Sequence, residues 1–365
     1  MRVALIHYWL VGMRGGEKVL EALCRMYPQA DIFTHVVVPE QLSPLLRNHC
    51  IRTTFINNLP GSRRHYQKYL PLMPLALEQL DLREYDLVIS SESGPAKGVL
   101  TRADTPHVCY CHSPMRYLWD FYQDYLEQAG PVVRFAMRGL FHGLRTWDAV
   151  SAMRVDRFVA NSHHVAKRIR KHWRRDASVV HPPVAVDAFA PQPAMVGDFY
   201  LCLGQLVGYK RVDMAIRACN VSGRRLVIIG DGEQRAALEA IAGPTVTFMG
   251  RQDDGVIRDH YARCRALLFP GEEDFGIVPV EAMASGRPVI ALARGGACET
   301  VVDGVTGMLY AEQTVEGLLA ALDRFEQEMG KFDAATLAAH AVRFHESRFC
   351  AAFAAEVDAA FADMR

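Results

Sequence analysis

The sequence predicts an α/β protein built from two doubly wound parallel sheets, one in each half of the chain. Three observations lead there. Short apolar runs alternate with helical patterns from end to end. Prolines interrupt that alternation near the middle, at His181-Pro182-Pro183 and Pro191-x-Pro193. A length of 365 residues, at roughly 100–200 per domain, favours two domains over one. Short apolar strands that alternate with helices form parallel sheets covered on both faces.

In the first half the strand-like runs are Val3–His7, Leu87–Ser90, His107–Cys111 and Arg157–Asn161, with helical patterns over Glu17–Tyr27 and Ser162–Trp173. The second half alternates more regularly. Phe199–Gly204 precedes Val212–Asn220, Leu226–Gly230 precedes Glu233–Ile241, and Thr245–Met249 precedes Val256–Cys264. Ala266–Phe269 then leads to Val278–Ser285, and Pro288–Leu292 to Gly296–Val302. Proline cannot continue a ladder, so a linker is expected near 182–196. The expected domains are 1–190 and 191–346, with an Ala- and Phe-rich helix at 347–365 packing back on the first. Ligands of such sheets bind beyond the carboxyl ends of the strands, so two facing sheets would hold one across a cleft.

Composition narrows the function. Half the residues are hydrophobic and 22% are charged, as in ordinary globular proteins. Forty-one basic side chains balance forty-one acidic ones, which argues against a nucleic-acid partner. Residues 1–190, however, carry 24 basic and 17 acidic side chains, and 191–365 carry 17 and 24. Either the first half meets something anionic, or the asymmetry is ordinary surface charge. Nine cysteines with no C-x-x-C pair read as buried thiols of a reducing compartment, and Cys109 and Cys111 alternate within an apolar run. Val3–Met13 is interrupted by His7 and lacks a small-residue cleavage site, so it reads as a strand, not a signal peptide. No run of about 18 apolar residues exists to span a membrane. The expected location is cytoplasmic.

The segment Gly271-Glu272-Glu273-Asp274-Phe275-Gly276-Ile277-Val278-Pro279-Val280-Glu281 carries the densest chemistry. It follows a strand and enters a helix, whose unsatisfied N–H groups and dipole suit a diphosphate. Gly276 allows close backbone approach. Glu273 and Glu281 can each accept two hydroxyl hydrogen bonds, as vicinal diols offer. Taken singly, Glu281 reads as a helix-surface glutamate and Glu273 as a first-turn acid. In the first half, Gly15-Gly16-Glu17 follows a strand and opens a helix, which serves either as an N-terminal loop or as an anion site. His112 sits just past a strand in Cys111-His112-Ser113-Pro114-Met115-Arg116-Tyr117-Leu118-Trp119-Asp120, while His7 and His107 read as structural. Arg116 would serve an acceptor phosphate or pair with Asp120. Two basic clusters with aromatics, Arg63, Arg64 and Lys68 among 62–69 and a second at 167–175, suit an anionic membrane surface or a lipid diphosphate, or are solvated faces.

The E-x7-E string of Glu273 and Glu281 resembles the signature of the retaining family 4 glycosyltransferases, which have the GT-B fold of two Rossmann-like domains. Asn161-Ser162, Val180-His181-Pro182-Pro183-Val184, Gly230-Asp231-Gly232, Phe248-Met249-Gly250, Gly286-Arg287-Pro288-Val289-Ile290 and Gly304-Val305-Thr306-Gly307 also look like family segments, so the resemblance covers nearly the whole chain. It implies that His112 and Glu273 act at the transferred sugar and that Glu281 holds the nucleotide ribose. It also implies that amides around Phe275, Gly276, Ile277 and Val278 cradle the diphosphate, with Gly15, Gly16 and the phosphate-binding Lys210 completing the donor site. The family commonly has Arg where this chain has Gln205, and Gln can donate a hydrogen bond but brings no positive charge to the phosphate. Arg211 and Arg251 are the candidate substitutes.

The strings around His112 and over Gly208–Asp213 are most similar to bacterial O-antigen and exopolysaccharide mannosyltransferases. They imply transfer of mannose from GDP-mannose to a polyprenyl-diphosphate-linked glycan, by front-face substitution with no metal or other cofactor. Domain closure about 182–196 is expected. A UDP-sugar donor is the alternative within the class. An inactive nucleotide-sugar-binding assembly subunit, suggested by Gln205, is the alternative outside it. A dinucleotide oxidoreductase is disfavoured because Gly230-Asp231-Gly232 lacks the third glycine of its fingerprint.

Overall fold

Several strands buried at every position, rather than at alternate ones, fix the architecture. The computed structural model describes residues 1–191 and 196–364, apart from the Gln128 side chain. The chain forms two units, Met1–Pro183 with Phe349–Arg365, and Val184–Arg348. In the first, β1 (Val3–His7), β2 (Asp31–Thr34), β3 (Ile51–Thr53), β4 (Leu87–Glu92), β5 (His107–Cys111), β6 (Arg157–Ala160) and β7 (Ser178–Val179) form one parallel sheet. Their order is β3-β2-β1-β4-β5-β6-β7. Every residue of β1, β4 and β5 is buried, as a sheet covered on both faces requires.

The winding reverses between β1 and β4. The chain steps outward through β2 and β3, then returns to the other side of β1, so the loops at the carboxyl ends of β1 and β4 diverge. In that register His7 lies beside Ser91, and Ser91 beside Tyr110. Helix Gly15–Met26 buries Val19, Leu20 and Leu23 against this sheet. The C-terminal helix Glu346–Asp363 adds Phe349, Phe353, Val357 and Ala360 to the same core, spaced three or four apart on one face. Phe349 and Phe353 stand edge-on to the Tyr110 ring at 5.4 and 6.0 Å. Burial of each such ring is worth about 1.5–3 kcal/mol. Arg157 holds the helix from outside through Glu356 at 2.5 Å and Asp363 at 3.0 Å.

The second unit repeats the plan with β8 (Phe199–Leu203), β9 (Arg225–Ile229), β10 (Val246–Gly250), β11 (Leu267–Phe269), β12 (Val289–Leu292) and β13 (Gly307–Tyr310). Their order is β10-β9-β8-β11-β12-β13, so the reversal falls between β8 and β11. This unit begins at Val184, a few residues before the boundary expected at 190, because Val184 N–H donates to Phe344 O at 2.9 Å. Residues 192–195 of the expected linker lie outside the described residues. By these bounds the first unit has 25 basic and 19 acidic side chains and the second 16 and 22, so the asymmetry persists.

The sequence did not single out β2, β3, β7 or β13, nor helices Pro131–Ser151 and Val315–Glu328. Strands β3 and β7 are edge strands of three and two residues, too short for a period to register. Helix Pro131–Ser151 contains Gly139 and Gly143 and buries only Phe141, Leu144, Asp148 and Ser151, so it shows no broad apolar stripe. The helix expected over Gly296–Val302 is a single turn, Ala297–Thr300.

Candidate functional site

In the second unit the loops after β8 and β11 meet at the winding reversal. Beyond β8 the chain passes Gly204 and Gln205, makes a short 3-10 turn over Gly208–Lys210, and enters helix Val212–Ser222. Beyond β11 it runs through Gly271 to Glu273. Lys210 Nζ lies 3.0 Å from Glu273 Oε1, with the two side chains 16% and 20% exposed. A Cβ at Gly204 would stand 2.8 Å from that ammonium, and its φ of +132 strains any residue other than glycine. Glu273 is fixed in turn through its carbonyl, which accepts from Gly296 N–H at 2.8 Å.

Phe275 and Gly276 are buried, and Gly276 immediately precedes helix Ile277–Ala284. The opening N–H groups of Ile277 and Val278 have no carbonyl within the helix to bond, which suits them to an anion. The helix is buried from Pro279 to Ala284, Glu281 included. Glu281 is therefore not the helix-surface glutamate that its residue type alone suggests. Its Oε2 accepts from the hydroxyl of fully buried Tyr261 at 2.8 Å. Burial, and then the neighbouring Glu281 carboxylate, push the Tyr261 hydroxyl well above its ordinary range, so it stays a donor.

The two candidate replacements for a cation at Gln205 stand differently. Gln205 is exposed. Arg211 makes a two-pronged bond to Asp213, Nε to Oδ1 at 3.0 Å and Nη2 to Oδ2 at 3.1 Å, so its charge is met within its own turn. Arg251 is exposed and follows β10, which β9 separates from β8. Of the cations named, the structure brings Lys210 to Glu273.

In the first unit the corresponding reversal gathers Gly15, Gly16 and His112. Helix Gly15–Met26 starts at the two glycines, and Glu17 Oε2 accepts from Arg14 N–H at 2.9 Å. A Cβ at Gly16 would come within 2.4 Å of the Tyr8 hydroxyl, so the close approach of helix and strand end depends on glycine. Glu17 is buried. Burial works to raise its pKa, but the neighbouring His7 ring and the backbone N–H groups of Glu17 and Arg14 outweigh that and hold the carboxyl below its ordinary range.

His112 N–H donates to Glu92 O at 2.8 Å, and His112 O accepts from Asn161 Nδ2 at 3.0 Å. Its ring stands edge-on to Tyr110, and Nε2 lies 2.8 Å from Ser91 Oγ. Ser91 Oγ is also 3.0 Å from His7 Nδ1, and His7 Nε2 is 3.7 Å from Glu17 Oε1. The sequence alone reads His7 as structural, places Glu17 only within the Gly15-Gly16-Glu17 helix start, and does not single out Ser91. The one available signal was their position at carboxyl ends of strands and at the helix start.

Arg116 lies with its guanidinium 5.3 Å over the Phe121 ring. Asp120, considered above as its partner, is engaged by Arg168 and His172. Although burial opposes it, these two hold the Asp120 carboxyl well below the usual range. The basic run 167–175 is therefore not a uniform solvated face: Arg168 and Trp173 are buried, and Arg175 bonds to Ala152 O. The other cluster does face solvent. Arg63 and Arg64 in helix Ser62–His65 and Lys68 in the following 3-10 segment are all exposed, close in sequence to exposed Leu72 and Leu75. Among the described residues, no helix is long and apolar enough to cross a membrane.

Comparison with known proteins agrees with this geometry. Residues 13–188 match the family model Glycosyltransferase Family 4, and 189–336 match Glycosyl transferases group 1. A D-inositol 3-phosphate glycosyltransferase of Mycolicibacterium paratuberculosis is 31% identical over 217 residues, 52% of this chain and 49% of that one. The chain spans about half the length of the curated relatives it matches. Among solved structures, Anabaena HepE in complex with UDP-glucose superposes with a TM-score of 0.73 at 18% identity, covering 98% of this chain and 100% of that one. The lipopolysaccharide outer core galactosyltransferase WaaB gives 0.69 at 18% identity, with 98% and 99% covered. With both domain models in tandem and two sheets that each reverse at the residues described, the chain belongs to the family 4 glycosyltransferases of GT-B fold.

Proposed function

We propose that the chain transfers a hexose from a nucleoside diphosphate donor to a glycan acceptor with retention of configuration. The observation that carries this reading is the Lys210–Glu273 pair at the winding reversal of the second sheet, beside the opening N–H groups of helix Ile277–Ala284. In the proposed step the bond from the sugar C1 to the diphosphate oxygen breaks through an oxocarbenium-like state. The acceptor oxygen bonds C1 from the same face, and its proton passes to the departing phosphate oxygen. Lys210 and the helix N–H groups stabilise charge that grows only as the leaving group departs, which makes them useful in the transition state. Glu273 and His112 are assigned to the sugar, and Glu281 to the ribose. The chain supplies this stabilisation without a metal.

The strings around His112 and Lys210 favour GDP-mannose as donor, with a polyprenyl-diphosphate-linked glycan as acceptor. The resemblance to HepE, whose complex holds UDP-glucose, favours a UDP-sugar as the second reading. A panel of nucleoside diphosphates in thermal-shift assays separates them, because stabilisation grows with ligand concentration over Kd. Larger stabilisation by GDP supports mannose, and larger stabilisation by UDP overturns it. Transfer from radiolabelled donor to polyprenyl-linked acceptors tests the enzyme against an inactive assembly subunit, which would show no turnover with any donor.

Cytoplasmic location with peripheral contact to an anionic membrane is part of the proposal. Exposed Arg63, Arg64 and Lys68 support it, as does helix Pro131–Ser151. Val132, Val133, Phe135 and Leu140 of that helix are exposed, and no acidic residue occurs before Asp148. Cations beside exposed aromatic and aliphatic side chains suit an anionic interface.

A further inference from the structure

Three chain segments far apart in sequence converge on one hydroxyl at the carboxyl edge of the first sheet. Ser91, near the end of β4, is 1% exposed, and its Oγ lies 3.0 Å from His7 Nδ1 and 2.8 Å from His112 Nε2. His7, the last residue of β1, is also 1% exposed. Its Nε2 has no hydrogen-bond partner among the described residues and faces Glu17 Oε1 at 3.7 Å. Parallel register places His7 directly beside Ser91, so the arrangement is fixed by the ladder.

We propose that Ser91 and His7 are positioning residues that hold His112 in one orientation and one tautomer. This inference rests on the role given to His112 above. A serine hydroxyl has a single proton, so it can donate to only one of the two ring nitrogens, and it accepts from the other where that nitrogen carries the proton. A single proton on the His7 ring sits at Nε2, the nitrogen that faces Glu17 Oε1, and Nδ1 then accepts from Ser91 Oγ. Ser91 in turn accepts from His112 Nε2–H, which makes Nδ1 of His112 the acceptor nitrogen. The proton carried by one ring nitrogen is set by the bond the other nitrogen makes. An acceptor at Nδ1 suits a sugar hydroxyl, whereas the other tautomer would present a donor there. Glu17 thereby links the opening turn of the first helix to His112 through two side chains.

The test is a double-mutant cycle on the full chain, following nucleoside diphosphate release from GDP-mannose and from UDP-glucose. Ser91→Ala should lower kcat about 10–100-fold, the scale seen for residues that orient a working histidine. The donor KM should change less than about threefold, since Ser91 is 1% exposed and acts through His112. In a His112→Ala background the same substitution should cost less than about twofold. Ser91→Thr, which keeps the hydroxyl, should recover most of the activity. Ring 15N shifts of labelled histidine, with His112 assigned by its loss in His112→Gln, should show Nε2 protonated in the native chain and a tautomer mixture in Ser91→Ala. If Ser91→Ala fails to fold, Ser91→Cys preserves the volume, weakens the hydrogen bonds and enters the same cycle. Equal loss in both backgrounds, or no loss in either, overturns this inference while leaving the role of His112 intact. A fully active His112→Ala variant would overturn that role, and with it the inference.

Discussion

Replacing Lys210 with methionine keeps most of the stem that packs beside Gly204 and removes only the charge. At 3.0 Å from Glu273, a unit charge pair interacts by about 1.4 kcal/mol in bulk water and about 5.5 kcal/mol at an effective dielectric constant of 20. Side-chain exposures of 16% and 20% place the pair between those limits. Desolvation and side-chain ordering offset most of this in the resting protein, leaving a net stability contribution of about 0–1 kcal/mol. Lys210→Met should therefore shift Tm by less than about 4 °C. Catalysis should respond differently, because in the proposed step charge on the leaving diphosphate develops beside Lys210. Losing one such group costs about 2.7–4 kcal/mol, or roughly 10²–10³ in kcat. Nucleoside diphosphate release and thermal melting on the same preparation measure both effects. A kcat within about tenfold of wild type refutes the assignment of Lys210 to the leaving group. A melting temperature lowered by more than about 10 °C would show the pair to be structural.

Three further outcomes follow from the packing and the charges. Phe353 is fully buried against Tyr110 and Phe349, so Phe353→Ala should cost about 3–5 kcal/mol in denaturant unfolding; a loss under about 1 kcal/mol would show that the C-terminal helix does not stabilise the first unit. Burial lowers His35 to about 4 and His107 to about 3, so between pH 6.5 and those values the unfolded chain binds protons that the folded chain does not. Stability should then rise with pH across that window, with about 2 kcal/mol per histidine lost between pH 7 and 5, and an unchanged urea midpoint would contradict this. Full-length protein should co-sediment with vesicles rich in phosphatidylglycerol and not with pure phosphatidylcholine, and Phe135→Asp should weaken that binding; equal binding by the variant would remove Phe135 from the contact.

Most of the fold was legible because strands buried on both faces leave unmistakable apolar runs. Runs such as Val3–His7 and His107–Cys111 coincide with β1 and β5 to the residue. Edge strands of two or three residues and a glycine-containing, mostly exposed helix leave no such trace. The residues proposed for the donor site stand together in the sequence, since Gly271 through Glu281 lie within a single loop and helix. What escaped were pairings that depend on strand order. His7 and Ser91 are 84 positions apart and meet only because β4 returns to the side of β1. For the same reason the basic run at 167–175 gave no sign that Arg168 would turn inward to Asp120, 48 positions earlier.

The most direct test of the central claim follows the anomeric proton by NMR while the full-length protein turns over GDP-α-mannose or UDP-α-glucose without acceptor. The account predicts slow release of the nucleoside diphosphate with the hexose first formed as the α-anomer, and loss of that release in Lys210→Met. A first-formed β-anomer, or saturable nucleotide binding with no cleavage of either donor, would contradict it.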